Sequence, residues 1–168
     1  MRLSERLKQL ARAEGAQSFS AAPHDLTQVL RLLVVDSGRG NDAGRIDLRL
    51  PKSAVPSRIA PDAVAIVARN LIENALRHSD SDKIRVILTD AGWMCVENDC
   101  PAIPEALLAD LSERFIRGLD AGSGSRLGLA IVRTIADRTG VAMTLTSPLP
   151  GGARGFRASF QLGFKYSS

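Results

Sequence analysis

The most constraining feature of this sequence is a long aliphatic segment, residues 61–78, that carries one stripe of polar side chains. Within the segment, four polar residues follow the i, i+3, i+4, i+7 spacing of a single helical face: Asn70, Glu73, Asn74 and Arg77. Most of the other positions are aliphatic, which is typical of a helix packed on a core. Pro61 suits the first turn of such a helix. The segment therefore predicts one long amphipathic helix.

The polar stripe has a chemical interpretation and a plain one. Asn70 and Asn74 lie one turn apart, and amide oxygens are suitable ligands for a hard cation such as Mg²⁺. Arg77, one turn further along, could reach phosphate oxygens. Simple solvent exposure of an amphipathic helix produces the same pattern, so the stripe alone does not define a site.

Composition limits the class of protein. A chain of 168 residues is long enough for one domain, or one domain with an appendage. Its hydrophobic content of 45% and charged content of 24% are typical of a globular protein, and it has no apolar run long enough for a membrane helix. Cys95 and Cys100 are too few for a disulfide framework, which favours a reducing compartment. Scattered basic residues, a net charge of +4 and only 4% aromatic residues disfavour nucleic-acid binding and are compatible with an anionic small ligand.

The order of patterned segments predicts the fold class. We expect a short amphipathic helix at 2–13, which either packs on a partner or is the end of something longer. Further helices are predicted at 24–36, 61–78, after Pro104 and at 127–139, and strands at 46–50, 83–90, 93–98, 142–147 and 155–162. Helices interleaved with antiparallel hairpins predict a two-layer α/β sandwich, with helices covering one face of the sheet.

Three later segments are candidates for ligand binding. Residues 96–104 leave a strand with Asn98 followed by small residues, an arrangement that can hold a flat heterocycle but also forms ordinary turns. Arg117 ends a predicted helix, where it could bind a terminal phosphate or simply be solvated. Residues 122–132 form a glycine-rich stretch that runs into a helix, and helix N-termini and free backbone N–H groups bind anions. This stretch matches neither a Walker A motif nor a Rossmann fingerprint, and it could open and close as a lid.

In this order, the four segments resemble the N, G1, F and G2 boxes of the ATP-binding domain of sensor histidine kinases, which share a superfamily with gyrase, Hsp90 and MutL. The resemblance covers roughly residues 24–163. It implies a Bergerat fold, with a mixed sheet of about five strands, three helices on one face, and Mg-ATP bound in a deep pocket under a lid. Residues 16–165 would form this catalytic domain, and residues 1–15 resemble the end of the dimerisation and phosphoacceptor helix.

The resemblance also implies roles for individual residues. Asn74 would ligate Mg²⁺ with Asn70 beside it, Arg77 and Arg117 would act on the phosphates as catalytic residues, and His78 would line the nucleotide. The full nucleotide-binding set would comprise Asn70, Asn74, Arg77, His78, Asn98, Cys100, Ala102, Ile103, Arg117, Gly124, Ser125, Arg126, Leu127, Gly128 and Leu129.

The sequence departs from the family pattern in the G1, G2 and F boxes, and in the F box Ser112 stands where a first phenylalanine is common. The family's G1 box reads Asp-x-Gly-x-Gly, whereas here Asn98 replaces the aspartate and Cys100 and Ala102 replace the glycines. Asn98 can still accept a hydrogen bond from the adenine amine, but without charge assistance, a loss of about 1 kcal/mol. The bulkier side chains narrow the expected adenine slot. In the G2 box, Arg126 is either a steric clash or an additional phosphate ligand.

Two further features distinguish the possible activities. Hydrolysing relatives carry a glutamate at the position of Asn70 to activate water, and an amide cannot accept that proton, so transfer is favoured over hydrolysis. The chain has only two histidines, His24 and His78, and we interpret His24 as a capping or surface residue and not as a phosphoacceptor.

The sequence therefore predicts a histidine kinase fragment that donates the γ-phosphoryl of ATP to a histidine on a separate dimerisation domain of the same protein, for relay to an aspartate of a response regulator. The full-length protein would be a homodimer in the inner membrane, with this part in the cytoplasm. One alternative is a degenerate, nucleotide-free docking or regulatory module. A gyrase-class ATP hydrolase is the other, which Asn70 disfavours.

Overall fold

The computed structural model describes residues 18–42, 44–117 and 124–164, together with Glu5 and Lys8. At positions 41, 112–117, 124–127 and 129 only the backbone is described. The helices are α1 (Leu26–Ser37), α2 (Pro61–His78), α3 (Glu105–Arg117) and α4 (Gly124–Thr139). The strands are β1 (Phe19–Asp25), β2 (Ile46–Arg49), β3 (Pro56–Ile59), β4 (Ile84–Leu88), β5 (Trp93–Pro101), β6 (Met143–Thr146) and β7 (Arg154–Gln161).

Five strands form a mixed sheet in the order β2-β4-β5-β7-β6. The β2–β4 pair is parallel and the other three pairs are antiparallel. Strands β1 and β3 pair separately as a two-stranded antiparallel sheet. The five-stranded mixed sheet and the α/β sandwich agree with the fold class that the sequence predicts.

Buried apolar and more exposed residues alternate along the strands, and this alternation decides which face of the sheet the helices cover. In β4, Ile84, Val86 and Leu88 are each at most 3% exposed and belong to the hydrophobic core. Val86 lies opposite Val96 of β5, which in turn lies opposite Ala158 of β7, so the apolar positions of three strands share one face. Helices α1, α2 and α4 pack their buried side chains on that face.

The long helix α2 forms where the sequence predicts it. Pro61 lies at its first turn, and its apolar stripe is almost completely buried, with Val64 and Val67 at 0% exposure. Arg77 lies in its last turn, where a positive charge complements the helix dipole, and Ser79 follows in extended conformation and ends the helix. The buried stripe fixes the rotation of α2 about its axis, and hence the direction that its polar edge faces.

Helix α1 begins two residues later than the sequence predicts. Asp25 is the residue that caps it, because its carboxylate accepts hydrogen bonds from the backbone N–H of Thr27 at 3.0 Å and from that of Val55 at 3.0 Å. Burial would raise the pKa of Asp25, but a hydrogen bond from the Thr27 hydroxyl at 2.7 Å, together with the two backbone bonds and the charge of Arg31, outweighs it and holds the pKa below its ordinary value. His24 is not a cap: it lies half-buried in β1, with Nε2 2.6 Å from the carbonyl oxygen of Ile59.

Strands β1 and β3 were not expected from the sequence. Strand β3 has only four residues and begins with a proline, so its pattern is too short to recognise. Residues 18–42, 44–117 and 124–164 contain four α-helices and one short 3₁₀ helix, Gly40–Asp42. Three of the α-helices supply the core, as the resemblance implies, while α3 contacts β6 and α4.

Most of the predicted helix 2–13 lies outside the described residues, apart from Glu5 and Lys8, which are helical. The division of the chain at residues 15 and 16 therefore stays a prediction. None of the described helices is long and apolar enough to cross a membrane.

Gly92 and Gly40 offer a matched test of the packing at the β4–β5 turn. Both have positive φ, +89° and +81°, but a Cβ atom at Gly92 would lie 2.3 Å from the carbonyl carbon of Gly163, whereas at Gly40 it would meet nothing within 4 Å. We expect Gly40→Ala to lower the free energy of unfolding by about 1–2 kcal/mol from backbone strain alone. Gly92→Ala should lower it by a further amount of about 1–3 kcal/mol, because backbone must move. Urea unfolding measures both, and equal losses would contradict the packing described here.

Candidate functional site

The polar edge of α2 runs from the core towards solvent. Asn70 is 4% exposed, and its Nδ2 donates a hydrogen bond to the carbonyl oxygen of Ile66 at 2.8 Å. Asn74, one turn later, is half-buried, and Arg77 and His78 are exposed at the end of the helix. The predicted site residues of this segment therefore lie along one edge of the helix and become more exposed towards its end, with one amide buried and the other half-buried.

The end of α2 meets the end of β5. Asn98 is 4% exposed, and its Nδ2 lies 3.4 Å from the carbonyl oxygen of His78, to which it donates. Directly after the helix, the backbone N–H of Asp80 donates to the carbonyl oxygen of Asp99 at 2.8 Å. Two segments that the sequence predicts to share a site are thus joined by two hydrogen bonds.

Strand β5 does not end at Asn98, as the sequence predicts, but continues to Pro101 with a bulge. Asn98 pairs with Phe156 and Pro101 pairs with Arg154, so two residues of β5 lie opposite the single residue Gly155 of β7. Gly155 has φ +101°, and a Cβ atom there would lie 2.6 Å from Cγ of Leu149. The bulge therefore depends on glycine in the neighbouring strand, while β5 itself carries Cys100 within the bulge.

The residues after Asn98 line the same end of the sheet. Cys100 and Ile103 are half-buried and Ala102 is exposed. Burial raises the pKa of the Cys100 thiol, the charge of Asp80 raises it further, and a hydrogen bond from Asn98 only partly opposes this. The thiol is therefore protonated at neutral pH and behaves as a small apolar side chain.

The chain that follows the β5 bulge is held in place by the hydrogen bonds of a serine. The backbone N–H of Ile103 donates to Oγ of Ser147 at 2.9 Å, and the same hydroxyl donates to the carbonyl oxygen of Gly155 at 2.6 Å. Ser147 therefore connects the chain after the bulge to the β6–β7 hairpin. Sequence reasoning did not identify Ser147, because a lone serine beside a proline carries no distinctive signal.

A buried ion cluster stabilises β5 just before Asn98. The Glu97 side chain is 5% exposed, and it accepts hydrogen bonds from Nε of Arg85 at 2.8 Å and from Nε of Arg157 at 2.7 Å. Burial would raise the pKa of Glu97, but the hydrogen bonds and charges of the two arginines outweigh it and hold the pKa below its ordinary value. These three residues face each other across neighbouring strands, so only the strand register, which the sequence does not give, would have revealed them.

The F and G2 segments frame the other part of the predicted site. Arg117 is the last residue of α3, and α4 begins at Gly124, three residues earlier than expected, so that Ser125 and Arg126 lie in its first turn. That turn contains no acidic residue, which leaves the N-terminus of α4 suited to anions. Gly128 is buried in the same helix. The side chains of five predicted residues lie outside the described part: Arg117, Ser125, Arg126, Leu127 and Leu129.

The mixed sheet, its helical layer and the amide edge of α2 beside the end of β5 together define an ATP-binding α/β sandwich of the Bergerat type. Residues 59–164 match the family model of histidine kinase-, DNA gyrase B- and HSP90-like ATPases, and the chain belongs to this family.

Individual relatives narrow the resemblance to sensor kinases. The chain is 34% identical to the sensor protein BasS of Escherichia coli over 138 residues, covering 77% of this chain and 38% of that protein. It is 29% identical to the sensor protein QseC of Salmonella typhi over 155 residues, covering 90% and 34%. The NMR structure of the histidine kinase domain of the E. coli osmosensor EnvZ superposes with a TM-score of 0.65 at 25% identity, covering 91% of this chain and 94% of that one.

The chain spans about a third of the length of the curated relatives described above. The predictions of a Bergerat fold and of an ATP-binding domain of the sensor histidine kinase type are confirmed by these similarities. The roles of the individual site residues stay predictions.

Glu97 makes stability depend on pH in a defined direction. Since its pKa is lower in the folded than in the unfolded protein, its contribution is complete above the unfolded value of about 4.3 and disappears as the pH falls through the folded value. We expect Glu97→Gln to lower the free energy of unfolding by about 1–3 kcal/mol at pH 7, a moderate amount because both arginines are partly solvated. At about pH 3 the loss should be smaller, because the contribution of the Glu97 charge to stability decreases below the unfolded pKa.

The matched control is Asp47→Asn, which removes an exposed carboxylate paired with Arg49 at 3.0 Å. It should change the free energy of unfolding by no more than about 0.5 kcal/mol. Urea unfolding at both pH values checks the comparison, and a Glu97→Gln loss that is the same at pH 7 and pH 3 would show that the charge is not responsible.

Proposed function

We propose that this chain is the catalytic ATP-binding domain of a sensor histidine kinase. It positions the γ-phosphoryl of ATP for attack by a histidine on a separate dimerisation domain of the same protein, from which the phosphoryl passes to an aspartate of a response regulator. The observation that carries the proposal is the junction of α2 and β5, where Asn98 binds the carbonyl of His78 and Asp80 binds that of Asp99. This junction brings the N and G1 segments together, which supports a single site built from both.

The donor set of α2 suits a magnesium ion. Asn70 and Asn74 present amide groups on one edge of the helix, and Mg²⁺ is commonly held by one or two protein oxygens with substrate phosphates completing its shell. Within the part of the chain that the structure describes, no cluster of three or more His, Cys, Asp or Glu side chains could hold a metal. Mg²⁺, when bound, supplies charge neutralisation on the phosphate oxygens.

The chain's own cations would complete the phosphate end. Arg77 is exposed at the end of α2, and Arg117 and Arg126 lie at the end of α3 and in the first turn of α4. Arginine donates several hydrogen bonds in a fixed plane, which suits phosphate oxygens. Together with the N-terminus of α4 and the backbone of Ser125, Leu127, Gly128 and Leu129, these residues would hold the triphosphate in line for transfer.

The base end would be formed by Asn98 and the bulge. Since Nδ2 of Asn98 faces the carbonyl oxygen of His78, its amide oxygen is the atom left to accept a hydrogen bond from the exocyclic amine of adenine. Cys100, Ala102 and Ile103 would line the slot beside the ring, and His78 would lie against the nucleotide. This arrangement favours a base with an exocyclic donor over one with an acceptor.

Phosphoryl transfer is favoured over hydrolysis by the chemistry of Asn70. It is buried and amidic at the position where hydrolysing relatives need a carboxylate to take a proton from water. The hydrolase alternative therefore lacks its base.

The nucleotide-free docking module is the second candidate, and the observation that favours it is Cys100, whose half-buried thiol occupies the place of a family glycine.

The proposal extends to the full-length protein. Residues 1–15 would continue from the dimerisation helix that carries the phosphoacceptor, and two copies would pair through that domain. The domain would lie in the cytoplasm and the full-length protein in the inner membrane. The similarity to BasS and QseC, which are sensor proteins, supports this assignment.

Binding of a fluorescent ATP analogue tests the metal site. We expect Asn74→Ala to abolish most of the gain in affinity that Mg²⁺ provides, a loss of at least about tenfold, while leaving metal-free binding nearly unchanged. Asn74→Asp is the matched variant: it restores an oxygen ligand and should retain Mg²⁺-dependent binding. If the unsubstituted protein binds no analogue at all, the docking-module alternative replaces this proposal.

Phosphotransfer tests the activity itself. With the histidine-bearing dimerisation domain of the same protein and ATP labelled at the γ position, we expect phosphohistidine to accumulate with little free phosphate, because Asn70 cannot activate water. A labelled product that is stable in alkali and labile in acid is identified as phosphohistidine. Rapid release of phosphate without a labelled protein would instead indicate a gyrase-class hydrolase.

A further inference from the structure

An arginine from β7 joins the two segments that meet at the base end. Nε of Arg154 donates to Oδ1 of Asp99 at 3.1 Å, and its Nη2 donates to Oδ2 of Asp80 at 2.9 Å. Asp80 follows α2 and Asp99 lies in the bulge of β5, so one guanidinium spans the junction. We call this arrangement the Asp80–Arg154–Asp99 bridge.

The bulge is the part of β5 that most needs an external tie. The regular ladder between β5 and β7 is interrupted between Asn98 and Pro101, and a bulged residue is left unpaired in such a ladder. Pro101 has no N–H to donate. Without further contacts, the backbone that carries Asn98 into the bulge is therefore less constrained than the rest of the strand.

The backbone of β7 places Arg154 at this point. Arg154 lies opposite Pro101, and the following Gly155 has φ +101°, a conformation that other residues rarely adopt. The planar guanidinium can donate from two nitrogens to two different carboxylates, whereas a lysine ammonium is a single point charge. Arginine is therefore suited to span both aspartates.

We propose that Arg154 is a positioning residue for base recognition, which bridges Asp80 and Asp99 and so holds the amide oxygen of Asn98 in the orientation that accepts from adenine. This inference rests on the proposed function, since it concerns the same nucleotide.

The exposure of the bridge predicts how it responds to salt. The side chains of Arg154, Asp80 and Asp99 are 52%, 54% and 46% exposed. Half-exposed ion pairs are weak individually and are screened by salt, with a Debye length of about 10 Å at 0.1 M and about 3 Å at 1 M. We therefore expect the contribution of the base end to nucleotide affinity to fall as ionic strength rises, whether or not Mg²⁺ is bound.

Nucleotide affinities of Arg154→Ala test the proposal. At about 0.1 M salt we expect ATP to bind roughly three- to tenfold more weakly, by the same factor with and without Mg²⁺, and the difference from the unsubstituted protein to shrink at about 1 M salt. The preference for ATP over GTP should fall as well, because the orientation of Asn98 distinguishes the two bases. Arg49→Ala removes an exposed arginine–aspartate pair within β2, with Asp47, and should change none of these values.

Variants of the partners separate positioning from general stability. Asp80→Asn combined with Asp99→Asn should reproduce the loss, and adding Arg154→Ala to that pair should cause little further change. Arg154→Lys should recover only part of the affinity. An equal loss for ATP and GTP, or an undiminished effect of Arg154→Ala when both aspartates are absent, would overturn the proposal.

Hydrogen exchange at residues 98–102 gives a readout that needs no nucleotide. Arg154→Ala should accelerate exchange there and Arg49→Ala should not. If the unsubstituted protein binds no ATP, the proposed function fails and the role in base recognition fails with it, while accelerated exchange would still show that the bridge holds the bulge. If the unsubstituted protein binds ATP and Arg154→Ala binds it equally well with unchanged exchange, only the positioning role is wrong.

Discussion

The contact between the end of α2 and the end of β5 is the constraint on which the rest of the structure depends. The buried stripe of α2 fixes the rotation of the helix about its axis. The pairing of β5 with β4 and β7 fixes where Asn98 lies along the sheet. Because side chains on a helix and on a strand have fixed directions, these two packings together decide that Asn98 meets the carbonyl of His78. The position of the candidate site is therefore a consequence of core packing, because the apolar side chains of α2 and β5 hold these two elements in place.

The substitution at position 98 changes the physics of this contact as well as its chemistry. An asparagine can donate to the last carbonyl of α2, which a carboxylate cannot do, since both would be acceptors. The amide thereby satisfies a carbonyl that the end of a helix leaves without an intrahelical partner. In exchange, the site loses the charge that would strengthen a hydrogen bond to the base. Charge is still present beside the altered G1 segment, because Arg154 forms ion pairs with Asp80 and Asp99 at the junction of α2 and β5.

The sequence predicts those parts of the structure whose signals are local and periodic. Helix α2 and the β4–β5 hairpin follow directly from their spacing, and the order of the four boxes gives the family. Other features depend on pairing that no local pattern contains. The cap by Asp25 requires the backbone of Val55, and the cluster around Glu97 requires the register of three strands. The bulge was missed for the same reason, because an extra residue is visible only against the strand that lies opposite.

The two ends of the proposed site differ in what they can contribute to catalysis. Contacts with the base are the same before and during phosphoryl transfer, so weakening them changes the Michaelis constant and not the rate of the chemical step. Contacts with the phosphates strengthen as charge develops on the transferred group, so in the proposed site Arg77 and the first turn of α4 would act on the rate. The departures from the family pattern at Asn98, Cys100 and Ala102 fall at the base end, whereas Arg126, the departure in the G2 box, lies in the first turn of α4 at the phosphate end. Under the proposed function, a chain altered in this way would keep the chemistry of a kinase while binding its nucleotide more weakly.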